Sequence, residues 1–134
     1  MENLTLILKS NRNEIRRFEV LLEQANQKFN LAAEKFVNLQ IACSEALINA
    51  IVHGNKEDES KSVFTNIEMN ELKMCVRIKD EGKGFKIEQL PDPTLNENIL
   101  KESGRGIYII RSLVDEFECN SSEKGTEFIL TVIK

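Results

Sequence analysis

The 134-residue sequence has little of what staples or metallates small domains. Cys43, Cys75 and Cys119 are its only cysteines. They are odd in number, far apart and free of any C-x-x-C pair, which excludes a disulfide framework and a zinc site of ordinary spacing. They read as reduced, mostly buried thiols. No long basic run is present, and 18 basic against 22 acidic residues leave a net charge of -4. Electrostatics therefore give no pointer to nucleic acid or to an anionic membrane, and an anionic ligand would have to be bound locally. The N-terminus lacks a basic segment followed by an apolar signal core, and no apolar run approaches the roughly 20 residues that span a bilayer. A cytoplasmic protein is the expectation. There is no internal repeat, no linker that would split the chain, and no G-x-x-x-x-G-K-[ST] phosphate loop.

A hydrophobic share of 41% and a charged share of 30% fit a globular chain with a well-solvated surface. Residues 1–134 are expected to form one domain. "LTLILK", Leu4 to Lys9, is rich in β-formers. A Ser10-Asn11 cap candidate follows, and then Ile15, Phe18, Leu22, Ala25 and Phe29 recur at helical spacing. A second helix is predicted from about Ala32 or Glu34 through Val52, with Phe36, Ile41, Leu47, Ile48 and Ile51 available for the core and Gly54 as its stop. Val63 to Lys79 alternates around a polar Asn70-Glu71 turn and reads as a β-hairpin in which Val76 and Ile78 share a face. A polar connection of roughly twenty residues with Pro91 and Pro93 comes next, too long for an idle loop in a compact domain. "SGRGIYIIRSLVDEF" then carries Ile107, Ile110, Val114 and Phe117 at helical spacing, and two strands close the chain. The order β-α-α-β-β-loop-α-β-β predicts an α+β two-layer sandwich, a mixed and mostly antiparallel sheet with three helices on one face.

Three constellations could carry chemistry. In "CSEALINAIVHGN" the residues Glu45, Asn49 and His53 are spaced by four. On an α-helix they project at roughly 0°, 40° and 80°, beside an apolar face spanning roughly 200° to 320°. A carboxylate and an amide oxygen one turn apart can orient a hydroxyl and hold a hard cation such as Mg²⁺. The bland alternative is a solvated helix face. "DEGKGF" sets Asp80 at a strand end before Gly82 and Gly84, which permit positive φ and close approach of a ligand, or simply make a turn. "SGRG" puts Gly104 and Gly106 where a helix begins, so unpaired N–H groups and the positive dipole end could meet a phosphate, with Arg105 adding charge.

Taken together with a late Gly125-Thr126, these segments resemble the N, G1 and G2 boxes of the gyrase and histidine-kinase ATPase superfamily, the Bergerat fold. Within it the chain is most similar to the anti-sigma regulatory factors, which are small serine/threonine protein kinases. The resemblance covers nearly the whole chain. It implies ATP and Mg²⁺ as cofactors, with Glu45 as general base and Asn49 as the Mg²⁺ ligand. It further implies that Asp80 bonds the adenine amino group, that Gly82 and Gly84 shape the adenine pocket, and that Thr126 lies near the adenine. Gly104, Arg105 and Gly106 match the phosphate-side segment, and residues 86–103 the lid, where Asn96 stands in place of a spaced proline found in many relatives. His53 fits the pattern as a packing or supporting residue. The implied partners are a sigma factor and an anti-anti-sigma protein, the latter as phosphorylation substrate, with a homodimer as assembly and neither nucleic acid nor membrane contacted directly.

A nucleotide-gated sequestering module with little or no kinase activity is the main alternative. The catalytic domain of a histidine kinase fits less well, because the only histidine lies in the ATP helix and no phosphoacceptor hairpin precedes the first strand.

Overall fold

The computed structural model describes residues 2–84 and 102–134. The lid expected at 86–103, including Pro91, Pro93 and Asn96, lies almost wholly outside the described residues. β1 (Glu2–Lys9) leads through a short 3₁₀ turn (Arg12–Glu14) into α1 (Ile15–Phe29). Asn11 rather than Ser10 caps that turn, its side chain accepting the Asn13 N–H at 2.8 Å. α1 ends where Asn30 takes the left-handed conformation, φ 59°. α2 (Ala33–Ile48) then runs directly into a π-helical turn, Asn49–Gly54. The hairpin forms as predicted, β2 (Ser62–Met69) and β3 (Lys73–Lys79), and α3 (Glu102–Leu113), β4 (Glu116–Ser122) and β5 (Gly125–Ile133) follow.

The sheet order is β1-β2-β3-β5-β4, and all four neighbouring pairs are antiparallel. The expected parallel component is therefore missing from the described strands. β3 and β4 run the same way, but β5 inserts between them and pairs antiparallel with each.

Period-two alternation sets one sheet face against the helices. Val63, Ile67, Met74, Val76, Ile78, Phe128, Leu130 and Val132 are buried with Phe18, Leu22, Leu39, Leu47 and Ile110 in one core. Each such side chain stabilises the fold by about 1.5–3 kcal/mol on burial.

Two assignments of core residues change. Ile41 is 44% exposed, because its stripe of α2 continues toward Glu45 and away from the sheet. Phe117 lies in β4 rather than on a helix, where its ring stacks on Phe128 at 6.2 Å.

By length and composition Ala33–Gly54 could cross a bilayer, with a mean hydropathy of 1.2. Its apolarity has a local cause, since Leu39, Ala42, Cys43, Ala46, Leu47, Ala50 and Ile51 are all buried in this core.

Candidate functional site

The inward row of β3 reads Met74, Val76, Ile78, and the next residue of that parity is Asp80. In β5 the inward row Val132, Leu130, Phe128 ends likewise on Thr126. Strand alternation thus delivers a carboxylate and a hydroxyl to the buried face at one sheet end, each only 2% exposed. The two are tied through the backbone. Asp80 N–H donates to Thr126 O at 2.9 Å, and Thr126 N–H donates to Asp80 Oδ1 at 3.1 Å. Gly82 N–H gives Oδ1 a second bond at 2.9 Å. The Thr126 and Ser121 hydroxyls lie 2.8 Å apart. Burial raises the Asp80 pKa above its ordinary 3.8, and the two backbone donors oppose that rise. Among the described residues both side-chain hydrogen bonds of Asp80 go to Oδ1 and none reaches Oδ2.

Glycines pack around this carboxylate for steric reasons that spacing alone did not reveal. A Cβ on Gly54 would fall 2.2 Å from Asp80 Oδ2, and one on Gly125 would fall 2.1 Å from Asp80 O. Gly54 does not have the positive φ of a helix-ending glycine. It is small because the carboxylate occupies the space of its side chain. Gly82 also lacks positive φ, and its constraint is the Gly54 carbonyl, 2.2 Å from where its Cβ would be. Gly84 does take the left-handed region, φ 79°, against Ser122 O.

The second cluster lies at the other end of the π turn. Asn49, 6% exposed, donates through Nδ2 to Glu45 O at 3.0 Å, which leaves its Oδ1 for another partner. α3 packs alongside, and a Cβ on Gly106 would lie 3.0 Å from Asn49 Nδ2 and 3.2 Å from Glu45 Oε2. The glycine keeps this space open. Glu45 is half-buried, and a carboxylate with an amide oxygen beside it is a donor set suited to a hard cation. His53 is half-buried within the same turn, one residue before Gly54.

The two glycines of the glycine-rich segment have different places in α3. The helix begins at Glu102, so Gly104 lies in its opening turn, where N–H groups are left unpaired, whereas the exposed Arg105 and Gly106 are its fourth and fifth residues. Gly106 meets Glu45 and Asn49 by its lack of a side chain, and its N–H is not part of the open helix end.

Asn55 carries no signal in the sequence beyond its place after Gly54. It is 1% exposed and bonds to Ser62, seven residues on, and to Ser10 and Glu81, which are distant in sequence.

Residues 8–132 match the family described as histidine kinase-like ATPase domain. The chain is 32% identical over 100 residues to the anti-sigma F factor of Clostridium perfringens, covering 72% of this chain and 71% of that protein. The chain belongs to the anti-sigma factor family of histidine kinase-like ATPases. The anti-sigma F factor of Bacillus cytotoxicus is also 32% identical, over 101 residues, with 73% and 69% of the two chains covered. Among solved structures, the RsbU and RsbW domains of Rv1364c from Mycobacterium tuberculosis share the fold, with TM-score 0.72 at 17% identity. That match covers 98% of this chain but spans about a third of the mycobacterial one, 32%.

Proposed function

We propose that this chain is a cytoplasmic anti-sigma factor with ATP- and Mg²⁺-dependent serine/threonine protein kinase activity toward an anti-anti-sigma protein. The observation that carries the reading is the convergence of Glu45, Asn49 and Gly106, at the far end of one helical turn from the Asp80 cage. Its relatives named anti-sigma F factor supply the direction in which to read it.

Asp80 Oδ2 would accept a hydrogen bond from the adenine amino group, beside the glycines that pack around this carboxylate. Asn49 would hold Mg²⁺ through its amide oxygen, and the ion would supply charge compensation to the phosphates. The open N–H groups at the start of α3 and Arg105 face the same anionic tail. Phosphoryl transfer needs chiefly such positioning and charge compensation. Glu45 accepts the proton of the attacking serine hydroxyl as the serine oxygen bonds to the γ-phosphorus and the bond to the departing ADP oxygen breaks.

The test is incubation with γ-labelled ATP and a cognate anti-anti-sigma protein. Label on a partner serine is expected. Nucleotide binding without transfer would instead favour a nucleotide-gated sequestering module, and no nucleotide binding would overturn both readings.

A further inference from the structure

The base end of the site is held by a side chain that lies outside it. Asn55 follows the π turn, and its amide joins three separate segments. Nδ2 donates to Ser10 Oγ at 2.8 Å and to Ser62 O at 3.0 Å, while Oδ1 accepts the Glu81 N–H at 2.8 Å. Ser10 Oγ donates onward to Lys61 O at 2.6 Å, and the Asn55 N–H closes the turn on Ala50 O at 2.8 Å. Every polar atom of a residue 1% exposed is thereby used.

The placement matters because Glu81 follows Asp80 directly and lies beyond the last residue of β3. The Glu81 N–H has no strand partner of its own there, and Asn55 supplies one. On its other side Asn55 is bonded to Gly54, whose Cα faces Asp80 Oδ2 and whose carbonyl touches Gly82. One amide therefore sets the distance between the turn and the segment 80–82.

We infer that Asn55 is a positioning residue for the base end of the nucleotide site, fixing Asp80 Oδ2 against Gly54 and so setting selectivity for adenine. This rests on the nucleotide reading above. Glu45 and Asn49 lie at the opposite end of the turn, so losing Asn55 separates affinity and selectivity from the transfer step.

Two variants divide this role from a merely structural one. Asn55→Ala removes three side-chain bonds from this buried cluster and Ser10→Ala two, the Asn55–Ser10 bond being common to both, but only the first releases the Glu81 N–H. Asn55→Ala is expected to weaken ATP binding about tenfold or more and to narrow the ATP-over-GTP preference by a similar factor, with transfer at saturating ATP changed less than about threefold. Ser10→Ala is expected to lower the melting temperature while leaving that preference intact. Unchanged ATP affinity and preference in folded Asn55→Ala, or an equal loss in Ser10→Ala, would overturn the inference.

Amide hydrogen exchange on the nucleotide-free wild type gives a readout that needs neither variant folding nor nucleotide binding. The Glu81 N–H should be protected although it lies outside the strands, and fast exchange there would overturn the assignment. Absence of ATP binding by the wild type, with Glu81 protected, would overturn the proposed function and the adenine role together while leaving Asn55 as the tether of residues 80–82.

Discussion

The two ends of the Asn49–Gly54 turn are built in opposite ways. At the Asp80 end, backbone groups fix the carboxylate and glycines press against it, so that a side chain on Gly54 or Gly125 has no room. At the Glu45 end two side chains and one glycine make an open corner, tied by a single hydrogen bond from Asn49 to the helix backbone. The first end is rigid by exclusion of volume, and the second keeps oxygens available. Such a division suits a site that must recognise one flat, invariant group and yet admit a cation, phosphates and a second protein.

The contrast is broken most severely at the crowded end. Gly54→Ala should displace the Asp80 carboxylate, abolishing measurable ATP binding and costing about 1–3 kcal/mol of stability from overpacking. Calorimetric titration and denaturant melts check both effects. At the open end Glu45→Gln should leave ATP binding within about threefold while slowing transfer to the partner serine roughly 10²–10⁴-fold, the usual span for a lost general base. Single-turnover kinetics with labelled ATP would show it. Equal losses of binding and transfer would erase the distinction between the two ends.

A smaller effect follows from Asp80 itself. Its pKa is raised by burial, so its contribution to folding is fully present below pH 3.8 and is lost as pH rises through the folded-state value. Nucleotide-free protein should therefore lose some stability from acid toward neutral pH at this site, and Asp80→Asn should flatten that part of the profile. ATP affinity should run the other way, falling as the carboxylate protonates. The smallest effect is expected far from the site, at the half-buried Glu14 on the surface, whose pKa is lowered chiefly by the Lys9 N–H. Its contribution is present above pH 4.5 and lost as pH falls, so Glu14→Gln should shift only the acid limb of a melting profile.

Local patterns in the sequence carried the parts of this molecule that local physics decides. Alternation predicts the hairpin at 63–79, helical spacing predicts α1, and motif order singles out Glu45, Asn49, Asp80 and Thr126. What escaped were consequences of contacts distant in sequence. The π turn, the reason Gly54 and Gly82 are glycines, and the bonds from Asn55 to Ser10 and Glu81 join residues that no periodicity relates. The insertion of β5 between β3 and β4 is of the same kind. Ile41, apolar and at core spacing, lies at the edge of its stripe, which leads out of the core to the Glu45 corner.

We propose the open corner as a cation-assisted phosphate site whose key oxygen belongs to Asn49. Calorimetric titration of ATP into the wild type and into Asn49→Ala, each with Mg²⁺ and with the metal chelated, tests it most directly. Saturable binding that depends on Mg²⁺ is expected in the wild type and is expected to be lost in Asn49→Ala. Tight, Mg²⁺-dependent ATP binding by Asn49→Ala would contradict it.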